Sequence, residues 1–254
     1  MSVTPPVLLA LDTATDQIHA ALVTPEATRV RRLPGGAQAS TALLPALQGL
    51  LAEAGHPWSA VQAIAFGAGP GAFTGLRTAC SVTQGLALGL GCPVLVLDTL
   101  KAVAEDARLR APAAFPEGAG LWVLQDARMG ELYVAALTWV SGEWQTTVAP
   151  SLWPVQEPAR RWADAGAEAD VPLRLAGNAL AACGDALAPV LNRVAGVLLA
   201  DADACPSGAA LASLAARAWT RGEAVDVAWA LPTYVRDKVA LTTAERAAAA
   251  RGEG

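Results

Sequence analysis

AIAFGAGPGAFTGLRTACSVTQGLALGLGCPVLVLDTL, residues Ala63 to Leu100, holds a strand, a glycine-rich loop, a long helix and a second strand in one continuous reading. Ala63 to Phe66 is a short apolar run suited to a buried strand. Gly67, Gly69, Pro70, Gly71 and Gly75 then crowd a loop, a sign of positive φ or of close backbone approach, which glycine alone makes cheap. Thr74 is the expected N-cap of a helix running to about Leu90, where Gly91 and Pro93 stop it. A glycine loop between strand and helix can cradle phosphate, because the free N–H groups of a helix start favour anions. The P-loop's Lys-Ser/Thr pair is absent here, however, and a dinucleotide fingerprint would need glycine where Thr74 stands. The residues favour a structural tight turn.

On a helical wheel Arg77, Thr78, Ser81 and Gln84 form one polar stripe and apolar residues occupy the rest, so this helix is covered on most sides, by its own domain or by a partner. Ser81, Gly85 and Gly89 recur every four positions and make a small-residue ridge along which another helix can approach closely.

Upstream, Val7 to Leu11, Gln17 to Val23 and Thr28 to Leu33 read as a three-stranded meander with a turn at Asp12 to Asp16. Ser40 to Ala54 follows as an amphipathic helix whose Leu43, Leu44, Leu47, Leu50 and Leu51 share one face. Downstream, Asp98 or Thr99 caps a helix to about Arg110, and Pro112, Pro116, Gly118 and Gly120 form a linker. An internal repeat then appears: LALDTATDQIHAAL (Leu9 to Leu22) aligns with VLQDARMGELYVAAL (Val123 to Leu137). Each is a strand ending in Asp, a tight turn, and a returning strand ending Ala-Ala-Leu. The second unit continues with a strand near Glu143 to Val148, a helix near Val155 to Ala165, a strand at Leu173 to Ala176 and a helix from Asn178 to Leu187. The expected division is residues 1–111, residues 112–235 and a tail over 236–254, with a last helix at about 209–221 that packs back on the first unit.

Hydrophobic residues make up 54% of the chain and charged residues 16%, a folded rather than disordered composition. A net charge of −5 argues against unaided nucleic-acid binding, which usually shows a basic face. Asp12 interrupts the first apolar run and Pro93 the longest one, so neither a secretory signal nor a membrane span is expected, and the location expected is cytoplasmic. Cys80, Cys92, Cys183 and Cys205 lack metal-type spacing and read as reduced thiols.

GPGAFTGLR (Gly69 to Arg77), LLALDTATD at the start, DARMGELY (Asp126 to Tyr133) and LPTYVRDKV near the end closely resemble the bacterial TsaB (YeaZ) family, over roughly residues 7 to 238. The resemblance implies an α/β, duplicated ribonuclease-H-like (actin-like) fold of two βββαβα-type units. It also implies a subunit that pairs with the TsaD-type threonylcarbamoyl transferase, alongside a TsaE-type ATPase, in forming N6-threonylcarbamoyladenosine at position 37 of tRNAs reading codons that begin with A. On this resemblance tRNA is met only through the complex, no cofactor is expected, and the partner surface lies on the two helices Ser40 to Ala54 and Gly75 to Leu90. Leu43, Leu47, Leu50, Ser81, Gly85 and Gly89 are the residues so assigned, with Gly69, Pro70, Gly71, Phe73, Thr74, Gly75 and Arg77 as the family-motif loop. The same apolar helices could pair two copies when the partner is absent.

In actin-like kinases two Asp-bearing hairpins face each other across a cleft and handle ATP phosphates and magnesium; Asp12 and Asp126 hold the equivalent places. Ala14 and Arg128 stand where glycine would let phosphate approach, so capping of the hairpins' own turns is favoured over a phosphate role. The related transferase binds metal through two His one helical turn apart, but the matching positions here are about Ala37 and Thr41. His19 and His56 cannot pair on one helix, and no nucleophile–base motif is readable, so no metal and no catalysis are expected. The rival expectation is an enzyme acting alone, an ATP-using phosphotransferase or a peptidase.

Overall fold

A computed structural model describes residues 6–164, 173–191 and 197–236. Five strands, β1 (Leu8–Asp12), β2 (Gln17–Val23), β3 (Thr28–Pro34), β4 (Ala63–Gly67) and β5 (Val94–Leu97), form a sheet in the order β3-β2-β1-β4-β5. The second sheet holds β6 (Gly120–Arg128), β7 (Glu131–Val140), β8 (Glu143–Pro154), β9 (Leu173–Ala176) and β10 (Val197–Asp201), in the order β10-β9-β6-β7-β8. Read from the opposite edge, the second order is the first one repeated. In each sheet an antiparallel hairpin, β1–β2 or β6–β7, sits beside a parallel strand, β4 or β9. The fold is therefore a duplicated ribonuclease-H-like α/β architecture.

Helices α1 (Ala39–Ala54) and α2 (Phe73–Leu90) cover one face of the first sheet, where Leu9, Leu11, Ile18 and Leu22 meet Leu43, Leu47, Leu50 and Ala79. On the second sheet, Leu124, Leu132, Val134 and Leu175 pack against Ala179 of α5 (Ala179–Ala182) and Leu187 of α6 (Gly184–Leu191), near α4 (Glu157–Asp164).

The two remaining helices are exchanged. Helix α3 (Thr99–Arg110) follows the first sheet in sequence, yet its Leu100, Val103, Ala104 and Ala107 pack among Leu121, Val123, Ala135 and Leu137 of the second. Helix α7 (Gly208–Thr220) follows the second sheet, and its Leu211, Leu214 and Ala215 cover Leu8, Ala10 and Ala21 of the first. Each leucine so buried stabilises the assembly by roughly 1.5–3 kcal/mol. At Gly208 a Cβ would lie 2.7 Å from the Ala20 carbonyl oxygen, so glycine lets the start of α7 lie flat on β2. Where the exchanged helices touch, buried Glu105 of α3 accepts five hydrogen bonds: two from Arg108 and one each from Trp144 of β8, Ser213 and Arg217 of α7. Burial pushes the Glu105 carboxyl up, but the bonds from Arg108, Arg217 and Ser213 outweigh it and hold the group at about 2.

Several local expectations change. Helix α2 begins at Phe73 with Ala72 as N-cap, and Thr74 already lies in its first turn. No side chain caps it; instead the Ala72 N–H donates to Ala14 O at 2.8 Å, which fixes the entry of the chain from outside the helix. Asp98 caps α3, accepting from Leu100 N and Lys101 N. The helix expected over Asn178 to Leu187 is broken at Cys183 into α5 and α6, and β8 extends to Pro154. The tail expectation falls, beyond Arg236, outside the described residues. No helix among the described residues is long and apolar enough to cross a membrane.

Candidate functional site

The four sequence motifs converge on one cleft of about 540 Å³ between the two sheets. Its walls include Ala14 and Asp16 from the β1–β2 turn, Pro70 and Phe73 from the glycine loop, and Asp126 and Tyr133 from the β6–β7 hairpin, while Thr233 to Arg236 run along its side.

The glycines serve backbone contact. A Cβ on Gly75 would stand 1.8 Å from Thr13 O, and one on Gly71 would stand 2.5 Å from the Ala14 Cβ. Thr13 Oγ1 donates to Gly75 O at 2.6 Å, closing the contact. Gly69, at φ +116, lets its carbonyl accept from Thr99 N while its N–H donates to Thr99 Oγ1. The loop is thus pressed onto the β1–β2 turn and seals what lies beneath it.

Beneath it lies Asp12, fully buried and absent from the cleft wall. Its Oδ1 accepts from Ala14 N at 2.7 Å and its Oδ2 from Thr99 Oγ1 at 2.9 Å. Burial pushes its carboxyl from the ordinary 3.8 up to about 6, against those two hydrogen bonds. His19, paired with Asp12 across the β1–β2 ladder, is also buried, and its Nε2 has no partner among the described residues. Burial, helped by the charge of Arg32 and opposed by Asp16, lowers the imidazole from 6.5 to about 4.

Asp126, the repeat equivalent of Asp12, lines the cleft. Its Oδ1 accepts from Arg128 N at 2.8 Å, the same self-capping bond, and its Oδ2 lies 3.2 Å from Arg128 Nη1. Arg128, Met129 and Gly130 all adopt positive φ, which makes the tight turn. Tyr133 reaches across the cleft to donate to Gly71 O at 3.4 Å.

The C-terminal segment straps α2 to the second sheet. Ala230 O accepts from Cys80 Sγ and Gln84 Nε2, each at 2.9 Å, and Thr233 N donates to Ala68 O at 2.7 Å. Arg77 lies with its guanidinium 3.9 Å over the Phe73 ring and donates from Nε to the Tyr234 hydroxyl at 3.2 Å. Phe73 and Tyr234 are themselves 5.1 Å apart between ring centroids, and Arg236 closes the strap by pairing with Glu131.

The residues expected to face a partner separate into two groups. Leu43, Leu47 and Leu50 are fully buried against the chain's own first sheet, so they present nothing to a partner; on α1 it is Leu44 that is exposed. Ser81, Gly85 and Gly89 face outward, and a Cβ at either glycine would meet nothing within 4 Å. Leu88 beside them is 69% exposed. Among the described residues, no three His, Cys, Asp or Glu side chains are placed to hold a metal.

Residues 34–250 match the family model described as TsaD, tRNA N6-adenosine threonylcarbamoyltransferase. The structure of YeaZ from Pseudomonas aeruginosa superposes with a TM-score of 0.75 at 35% identity, over 90% of this chain and 99% of that one. The chain belongs to the TsaB (YeaZ) family and carries a TsaD-type domain. Two relatives are named tRNA threonylcarbamoyladenosine biosynthesis protein TsaB. That of Escherichia coli is 28% identical over 92% of this chain and 96% of its own length; that of Haemophilus influenzae is 37% identical over 50% and 51%. In this TsaB-family chain the motif residues Gly69, Gly71, Gly75, Asp126 and Tyr133 are cleft-building residues. Tyr234, which meets Arg77 and Phe73, and Arg236, which meets Glu131, were legible only as part of a C-terminal motif without periodicity.

Proposed function

We propose that this chain acts in threonylcarbamoyladenosine formation in tRNA as a non-catalytic subunit. It binds and activates a TsaD-type transferase, works with a TsaE-type ATPase and meets tRNA through that complex. The observation carrying this reading is the outer face of α2. Between Arg77 and Asp98 the sequence has no charged residue, and within that run Ser81, Gly85, Leu88 and Gly89 stand open. A solvent-facing helix normally carries charge there; an uncharged crest of small and apolar residues suits the desolvated centre of an interface. The corrected partner surface on this reading is that crest with Leu44 of α1, in place of Leu43, Leu47 and Leu50. The sealed Asp12 supports a scaffold role, because a carboxylate under the glycine loop reaches no phosphate or metal in the cleft.

Reconstitution with transferase, ATPase and tRNA tests it, with modified adenosine measured by mass spectrometry of tRNA digests. Gly85→Arg is expected to keep its circular dichroism and melting, since nothing among the described residues lies within 4 Å of its Cβ. It should fail to co-elute with the transferase and fail to support modification, because a long charged side chain buried unpaired in the contact costs roughly several kcal/mol. Modification by the pure chain alone, or its turnover of ATP, would overturn the reading in favour of an enzyme.

A further inference from the structure

The crest of α2 is poor in contact area. Its central residues are one serine and two glycines, whereas a stable interface buries about 800 Å² on each side. Bulky apolar groups must therefore flank it. Leu44 of α1 stands on one side, at 44% exposure, since α1 and α2 are neighbours. The other side is the C-terminal strap, which runs antiparallel to α2. It is pinned at its start by the paired backbone bonds of Val94 and Val225, in its middle by Cys80 and Gln84 on Ala230 O, and towards its end by Arg77 on Tyr234. Leu88 lies one helical turn beyond Gln84, alongside the 3-10 turn Val227–Trp229 that packs on α2.

Within that turn the burial alternates sharply. Val227 packs into the first core and Ala230 is fully buried, but Trp229 between them is 70% exposed and Leu231 after them is 56% exposed. Asp226 fixes the turn, its Oδ1 accepting from Ala228 N and its carbonyl from Trp229 N. The indole is thus held outward by anchors on both sides. From Val227 to Val235 the strap has no charged residue, matching the uncharged run of α2 beside it. Single exposed hydrophobics are ordinary, but Leu88 on α2 and Trp229 and Leu231 on the strap that packs against it are three large exposed apolar side chains on neighbouring, uncharged segments.

We infer that Trp229 and Leu231 form the outer wall of the surface that receives a helix of the TsaD-type transferase, with Trp229 as its anchor. This rests on the partnership proposed above. The occupant follows from area and charge together. A buried tryptophan brings 150–250 Å² of the contact that the glycine crest lacks, and an uncharged groove suits an uncharged, small-residue helix face. The family model matching this chain describes the transferase itself, so the partner carries the same architecture and can present its own equivalent of α2 in a quasi-twofold pairing.

The test measures binding of full-length variants to purified transferase by interferometry, beside sedimentation of each variant alone. Trp229→Ala and Leu231→Ser are expected to melt as the parent does, being exposed. Trp229→Ala should weaken the complex by about tenfold or more, Leu231→Ser less, and Trp229→Phe should recover part of the loss. If Gly85→Arg abolishes the complex while Trp229→Ala and Leu231→Ser bind like the parent, the wall is not part of the surface and the inference falls while the partnership stands. Parental binding by Gly85→Arg moves the surface off the α2 crest and overturns the inference while the partnership stands; absence of binding by the parent chain itself overturns the partnership reading, and the inference with it. If Trp229→Ala changes only self-association, the occupant is a second copy of this chain and the assignment to the transferase is wrong.

Discussion

The β1–β2 and β6–β7 hairpins descend from the same repeated pattern and make the same bond, an Asp carboxylate accepting from the N–H two residues on. Their surroundings differ completely. Asp12 is sealed by the glycine loop and by Thr99, whereas Asp126 lines the open cleft beside a well-exposed Arg128. The repeat dictates local geometry, and what folds over each hairpin decides its chemistry. A carboxylate position inferred from a repeat is therefore a statement about turns until its cover is known.

The largest expected effect comes from lifting that cover. Gly75→Ala places a Cβ 1.8 Å from the backbone oxygen of Thr13, which cannot swing aside as a side chain would, and should destabilise by about 3 kcal/mol or more. Gly130→Ala in the open hairpin meets nothing within 4 Å and suffers only its positive φ of 73°, a cost of about 1 kcal/mol. Denaturant melts of the two variants check the contrast; equal losses would show that the loop does not seal the first hairpin.

A pH series gives a smaller effect with a defined sign. Asp12 holds its proton more tightly folded than unfolded, so its contribution worsens as pH rises from 3.8 through about 6, by about 3 kcal/mol in all. His19 holds its proton less tightly when folded, so its contribution worsens by a similar amount as pH falls from 6.5 through about 4. Between pH 4 and 6 the two slopes oppose each other and the parent's stability from this pair should be nearly flat. Asp12→Asn should remove one slope, leaving a melting temperature that falls steadily on acidification from 6.5 to 4. A flat profile in that variant would show that His19 is not held neutral.

The smallest change is expected from Asp126→Asn. Asn keeps the acceptor for Arg128 N and loses only an ion pair to a well-exposed arginine, so stability should move by less than about 0.5 kcal/mol. A loss as large as that of Gly75→Ala would erase the contrast between the hairpins.

What could be read beforehand divides along physical lines. The hairpin repeat, the glycine loop and the end of α2 at Gly91 were legible because turn chemistry and periodicity are local signals. Leu43, Leu47 and Leu50 were misassigned for a general reason: an amphipathic stripe shows that a face is buried, and not whether its own sheet or a partner buries it. The same limit hid the landing of α3 on the second sheet. Strand β10 was missed because VLLAD is a short apolar run, in which helix and strand periodicities look alike. The strap has no periodicity at all, and Ala230 meets Cys80 only through long-range folding.

The helix exchange also sets a timetable for synthesis. When α3 has left the ribosome, the first sheet has strands and two helices, but the face bearing Leu8 and Ala10 waits for Leu211 and Leu214 of α7, about 100 residues later. At 5–20 residues per second that interval is about 5–20 s. For that long a nascent chain shows a bare apolar sheet face beside an α3 that has no sheet to cover. Chaperone contact with nascent chains of this protein should thus peak at lengths between the end of α3 and the emergence of α7, and fall away once the last helix closes over the first sheet.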